Sequence, residues 1–103
     1  MESGGNGLRD YELTVVISPS VADDEVTVTL EKKVSQFITE RGGSITEVKP
    51  WGRKKLAYPI KNFTEGNYVL TLFKMDPKLT AELESSLELS EEILRHLLVR
   101  LSD

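Results

Sequence analysis

The sequence predicts an α+β fold in which a four-stranded antiparallel sheet carries two helices on one face. Two observations support this prediction. Four segments either alternate between apolar and polar residues or are apolar throughout, and two others carry an apolar stripe with helical spacing. Along the chain these segments follow the order β-α-β-β-α-β, which is that of the ferredoxin-like fold. Because this fold hosts many unrelated functions, it does not by itself name one.

The first half of the chain predicts a strand over residues 9–18 and a helix over residues 23–41. In the strand, apolar residues alternate with mostly polar ones: Tyr11, Leu13, Val15 and Ile17. In the helix, the apolar residues fall on one stripe: Val26, Leu30, Val34, Phe37 and Ile38. Acidic residues at the start of this helix suit the positive end of its dipole, and Gly42-Gly43 supplies a left-handed cap at its end.

The third segment predicts a long strand over residues 44–60. Pro50 lacks the N–H that an inner strand requires, so we expect an edge position. Ile45 and Val48 are out of step with a period of two, and Gly52 interrupts the run, so we expect a bulge near Trp51. Residues 61–66 are predicted to form a hairpin loop. The following strand, residues 67–75, is apolar on both faces, which predicts a central position.

The last two elements are a shorter helix and a final strand. Asp76-Pro77 predicts the start of a helix that ends near residue 89, followed by a turn over residues 90–92. The strand over residues 93–101 places Arg95, Leu97 and Val99 on one face and His96, Leu98 and Arg100 on the other. Since no helix covers the second sheet face, the apolar residues left there predict a docking surface for a protein.

Composition excludes several classes of function. The chain has no cysteine, so it forms no disulfides or thiolate metal sites. Residues 1–7 are Gly-rich and resemble no targeting signal, so we expect a disordered leader before a single domain over residues 8–103. No apolar run approaches the roughly 20 residues that span a bilayer, which predicts a cytoplasmic protein. The net charge of −4 argues against autonomous binding of nucleic acid.

The sequence offers little for catalysis, and we expect no enzyme, no cofactor and no metal. His96 is the only histidine and lies in a predicted strand, where a structural role is the usual one. An acylphosphatase-like anion site would require a basic residue in the loop over residues 18–22, and this loop has none. Gly42-Gly43 closes a helix, whereas a phosphate-binding loop would open one. The acid pairs Asp23-Asp24 and Glu91-Glu92 lie at a helix start and in a turn, where capping or solvation is the ordinary role.

Positive charge is concentrated in one stretch, residues 48–64. It contains five of the thirteen Lys and Arg residues and none of the seventeen acids. Trp51, Tyr58 and Phe63 lie among these cations, and such a combination can neutralise phosphates and stack on bases. Two alternatives remain open: a solvated edge strand protected by Lys and Pro, and core packing of the aromatic rings. The RNA-recognition-motif signature is absent, because residues 65–70 begin with an acid and lack its paired aromatics.

The segment Trp51-Gly-Arg-Lys-Lys-Leu-Ala-Tyr-Pro-Ile-Lys61 closely resembles the signature of the sixth protein of the bacterial small ribosomal subunit. Arg9-Asp-Tyr-Glu12 resembles that family's first strand, and Pro19 its strand exit. Asn67-Tyr-Val-Leu70 and Ile93-Leu-Arg-His96 resemble its third and last strands. The resemblance covers residues 8–101. The Gly-rich leader departs from the family pattern, and we expect no contacts from the longer C-terminal tail that some members carry.

The resemblance implies a structural protein that binds 16S rRNA together with a basic partner, the eighteenth small-subunit protein (S-eighteen). It also implies a monomer when the protein is isolated. The residues expected at the rRNA and partner surface are Trp51, Arg53, Lys54 and Lys55, with secondary contacts from Arg9, Arg95 and Arg100. The alternative is a ferredoxin-like regulatory module that forms a homodimer through the open sheet face and binds a small ligand.

Overall fold

A computed structural model describes residues 7–101 of the chain. Its strands are β1 (Arg9–Ile17), β2 (Ser44–Ile60), β3 (Phe63–Met75) and β4 (Ile93–Arg100). Its helices are α1, residues 23–40, and α2, residues 77–89, and each begins with a 3-10 turn. The predicted order of elements and the ferredoxin-like fold are therefore confirmed. The predicted leader lies outside the described residues, apart from Gly7.

The four strands form one antiparallel sheet in the order β2-β3-β1-β4. The edge position predicted for β2 and the central position predicted for β3 are both confirmed. The helices cover one face of the sheet, with α1 beside β2 and α2 beside β4. Among the described residues, no helix covers the other face, which we call the open face.

The hydrophobic core lies between the sheet and the two helices. The side chains of Leu13, Val15 and Ile17, which face the helices from β1, expose no surface. The rings of Tyr11 and Phe73 stack with their centres 5.6 Å apart. The helices contribute Leu30, Val34, Ile38, Leu83 and Leu87, all of them buried. Each such side chain contributes roughly 1.5–3 kcal/mol on burial, so this alternation determines which face of the sheet receives the helices.

Both helix ends follow the sequence signals that predicted them. Oδ1 of Asp76 accepts a hydrogen bond of 2.9 Å from the backbone N–H of Lys78 and so caps α2. At the end of α1, Gly42 has a φ of 88°, and the N–H of Gly43 donates to the carbonyl of Ile38 at 2.9 Å. One feature of α1 was not predicted, a π-helical turn over Glu31–Ser35. The apolar spacing of four across this turn suits α and π geometry alike.

The hairpin between β2 and β3 corrects the predicted loop over residues 61–66. Only Lys61 and Asn62 form the turn, with φ of 52° and 70°, as in a two-residue hairpin of mirror-image type. Phe63 already pairs with Ile60, so β3 begins there and not at residue 67. The polar residues after the turn suggested a loop, but they are strand residues of a hairpin that extends beyond the core.

The register of β2 shifts at three places. The one between Pro50 and Gly52 confirms the predicted bulge near Trp51, and another, between Ile45 and Glu47, was not predicted. The third, at the end of the strand, is the largest. Lys55 pairs with Glu65 and Ile60 with Phe63, so five steps along β2 oppose two along β3. Residues 56–59 therefore arch out of the ladder.

Candidate nucleic-acid interface

The basic edge, defined as residues 49–61 of β2 and its turn, carries five cations and no acid. Its aromatic side chains are not core residues, because 50% of Trp51 and 57% of Tyr58 is exposed. Nζ of Lys54 lies 5.6 Å from the centre of the Trp51 ring, within cation–π range. The bulge at Gly52, whose φ is 85°, separates the two residues in the ladder. An exposed ring beside a cation can approach a nucleic acid by stacking and by charge.

Arg53 is held by two carboxylates. Its Nη2 lies 3.1 Å from Oδ1 of Asp23 at the start of α1, and its Nε lies 3.9 Å from Oε1 of Glu65 on β3. Such partly exposed pairs contribute about 0–1 kcal/mol each. Arg53 could therefore exchange one carboxylate for a phosphate at small cost, but it is less available than its neighbours.

Lys54, Lys55 and Lys61 are the available cations of the basic edge. None of the three has a carboxylate within ion-pair distance in the described part of the chain. Lys49, by contrast, lies 3.7 Å from Glu47. Three uncompensated ammonium groups along one strand and its turn produce a positive field, although the chain as a whole is acidic.

Arg95 is brought to the basic edge from the far side of the sheet. Its Nη1 donates a hydrogen bond of 3.2 Å to Oη of Tyr58. Because β2 and β4 are opposite edges, this contact requires the arch over residues 56–59 to reach across the open face. The sequence left open whether the Tyr58 ring packs in the core or makes a contact at the surface. No periodicity indicated Arg95 as its partner. The Tyr-Pro pair in an interrupted strand was the available signal.

Arg9 and Arg100 lie apart from the basic edge. Arg100 pairs with Tyr11 at one end of β1, whereas Arg95 pairs with Val16 near the other end. Five residues of strand separate the two positions, which is about 17 Å. Arg9 pairs with Met75 at the same end as Arg100. The structure therefore does not bring these two arginines together with the other predicted contact residues, and their role stays a prediction.

The remaining candidates for chemistry have structural surroundings. His96 faces the helices, with Nε2 3.4 Å from Oε1 of Glu84 on α2 and most of its side chain covered. Among residues 7–101, no group of three or more acids and histidines could hold a metal ion. None of the helices in this part of the chain is long and apolar enough to cross a membrane.

The open face carries the apolar surface that the sequence predicted. On β4, 56% of Leu97 and 38% of Val99 is exposed. They continue a surface formed by Thr14, Val16 and Tyr68, where Arg95 and Leu97 border a shallow cavity of about 140 Å³. The molecule therefore presents two different surfaces, a basic edge and an apolar open face.

Comparison with known proteins supports a ribosomal function. The family model of ribosomal protein S6 matches residues 10–100. Small ribosomal subunit protein bS6 of Moorella thermoacetica is 40% identical over 96 residues, covering 93% of this chain and 97% of the relative. The bS6 protein of Clostridioides difficile is 41% identical over 92 residues, covering 89% and 98%. The crystal structure of 30S ribosomal protein S6 from Thermotoga maritima superposes with a TM-score of 0.82 at 35% identity, covering 90% and 87%.

Fold and comparisons together define a protein of the small ribosomal subunit, which functions in the cytoplasm. The chain belongs to the ribosomal protein S6 family.

Proposed function

We propose that this protein is a non-enzymatic, structural component of the small subunit that binds 16S rRNA through its basic edge. Membership of the family implies rRNA and ribosomal proteins as partners. The observation that carries the assignment of the site is the unneutralised charge of Lys54, Lys55 and Lys61 beside an exposed Trp51. Arg53 joins these contacts after exchanging a carboxylate, and Arg95 orients the arch through Tyr58.

The second part of the proposal is that S-eighteen docks on the open face. Leu97, which borders a shallow cavity with Tyr68, and Val99 are exposed there and would be buried by a partner. An acidic chain of net charge −4 has weak affinity for a polyanion by itself, since nonspecific binding depends on overall basicity. A basic partner removes this difficulty by adding its own phosphate contacts. The pair is the species that binds rRNA.

The test is the binding of a 16S rRNA central-domain fragment over a salt series, with and without S-eighteen from the same organism. We expect tight binding only with S-eighteen. Removing one cation that neutralises a phosphate should lower the slope of log affinity against log salt by roughly 0.7–0.9. Arg53→Gln combined with Lys54→Gln should therefore flatten the slope.

The matched control removes the same charge elsewhere, by Lys32→Gln on α1 and Lys78→Gln at the start of α2. It should leave the slope unchanged. An unchanged slope in the edge variant, or an equal decrease in the control, contradicts the assignment of the basic edge. No binding of rRNA with S-eighteen present, together with a stable homodimer, would favour the regulatory module.

A further inference from the structure

The outer edge of β4 has backbone groups that point away from the sheet. The N–H of Leu101 donates to the carbonyl of Asp10 at 2.8 Å, which makes this pair a hydrogen-bonded one. Hydrogen-bonded and non-hydrogen-bonded pairs alternate along an antiparallel ladder. Leu98, opposite Leu13, and His96, opposite Val15, therefore direct their N–H and C=O groups outward. In the described part of the chain no backbone or side-chain group pairs with them.

This edge has almost none of the features that keep edge strands from pairing. β4 contains no proline, and its one irregularity lies at its start, between Val16 and Ile17 of the neighbouring strand. On the open face it exposes Arg95 and then two apolar side chains, Leu97 and Val99, which alternate along the strand. An edge strand of this kind is a template for a further strand.

The helix beside this edge, α2, is rich in glutamate. Residues 79–92, which include most of α2 and the turn before β4, contain five glutamates and no Lys or Arg. Glu84 faces β4, since it contacts His96 at 3.4 Å. Glu88 lies one helical turn further on the same side of α2. Glu82 and Glu92 instead pair with Arg41 and Lys33, so a chain that lay along β4 would pass the carboxylates of Glu84 and Glu88.

We propose that the β4 edge accepts an extended, basic segment of a protein partner as a fifth strand of the sheet. The backbone groups of His96 and Leu98 bind it, Leu97 and Val99 contact its apolar side chains, and the glutamates of α2 select its positive charge. The inference rests on the proposed function, because the partner is the basic ribosomal protein invoked there. It goes further by assigning docking to the strand edge.

The same charge argues against a second copy of this chain as the occupant. Two copies paired through β4 would bring their α2 helices to the same side of the joined sheet or to adjacent positions across it. Each helix carries Glu84 and Glu88 beside the seam, and like charges at this range repel. A basic segment has no such penalty.

The test is amide hydrogen exchange of the intact protein, free and bound to S-eighteen. The outward amides of His96 and Leu98 should exchange readily in the free protein and slow by at least about tenfold in the complex. The amides of Leu97 and Val99, which bond to β1, are the internal control and should be slow in both states.

Three results would overturn the inference. If S-eighteen binds without slowing amide exchange at His96 and Leu98, the partner docks on the open face alone. The proposed function then stands, but this inference fails. If S-eighteen does not bind, the proposed function fails and this inference fails with it. If the two amides slow in the free protein as its concentration rises, the occupant is a second copy.

A charge-reversal pair tests the selection of a basic segment without disturbing the fold. Glu88→Lys lies beside the β4 edge, and Glu40→Lys is an equally exposed reversal at the far end of α1. At low salt, Glu88→Lys should weaken S-eighteen binding about fivefold to tenfold, and the difference should vanish at high salt. Equal effects of the two variants contradict the proposal.

Discussion

The two edge strands of the sheet differ in how each is protected from pairing with another chain. β2 carries Pro50 and Pro59, register shifts at three places, and cations along its outer half. β4 has no proline and exposes alternating apolar side chains. Proline, bulges and lysine are devices that prevent strand addition. Devices against strand addition are therefore concentrated at one edge of the sheet and are few at the other, where we propose that a further strand binds.

Charge follows the same division. The five cations of residues 49–61 lie at the β2 edge, whereas Glu84 and Glu88 of α2 lie beside β4. The net charge of −4 therefore conceals a strongly positive edge. A polyanion is attracted to one edge and a basic protein to the other. In the proposed function, the topology of the sheet separates the two partners, because it makes β2 and β4 the outer strands.

The largest expected effect concerns the attachment of β2 to β3. A Cβ at Gly43 would lie 2.4 Å from the carbonyl oxygen of Lys74, and neither backbone can move without opening the start of β2. Gly43→Ala should therefore lower the free energy of unfolding by about 3 kcal/mol, measured by urea denaturation.

Gly52→Ala is the control for this prediction. Its φ of 85° is unfavourable for alanine, but within residues 7–101 no atom beyond its two chain neighbours lies within 4 Å of the added Cβ. Gly52→Ala should therefore lower the free energy of unfolding by only about 1–2 kcal/mol. Equal decreases for the two variants would show that the contact with Lys74 is not what limits residue 43.

The second prediction converts the β4 edge into one protected like β2. Leu97→Lys combined with Val99→Lys should reduce S-eighteen affinity more than tenfold, because the partner would meet cations where it now meets apolar side chains. Calorimetry measures the affinity. Val28→Lys with Val48→Lys, at exposed apolar positions away from β4, should leave it unchanged. If the β4 variant keeps its affinity for S-eighteen, the partner does not dock on this region.

The smallest effect is expected at the link between the two edges. Tyr58→Phe removes the acceptor of the 3.2 Å hydrogen bond from Arg95. The bond is exposed, so the global stability should fall by less than about 1 kcal/mol. Amides in the arch over residues 56–59 should exchange faster, while those of β1 stay unchanged. An arch with unaltered exchange would mean that Arg95 does not hold it.

Periodicity and cap signals predicted most of the fold. Alternation in β1, the helical stripes, Gly42-Gly43 and Asp76-Pro77 determine the elements, because each acts over a few neighbouring residues. Pro50 also predicted the edge position of β2 correctly. The hairpin was harder to predict: Asn62 tolerates a left-handed backbone, but Lys61 gives no such signal, so the predicted loop is too long.

The site was predictable only as a charged segment. The exposure of Trp51 and the ion pairs of Arg53 depend on which residues of α1 and β3 come near β2, and a single sequence does not specify that. The contact between Tyr58 and Arg95 crosses the whole sheet and follows from an irregular arch. Arg9 and Arg100 were grouped with the other cations by charge alone. The register of β1 places both of them at the end of the sheet away from Arg95.

One measurement tests the division of labour between the two edges most directly. Trp51 is the only tryptophan of the chain and lies at the basic edge, so its fluorescence reports that edge alone. We would add S-eighteen first and the 16S rRNA fragment second. We expect no change with S-eighteen and strong quenching with rRNA, because bases would then stack on the exposed ring. Quenching by S-eighteen alone, or none on rRNA binding, would contradict the assignment of rRNA to β2 and the protein partner to the opposite side.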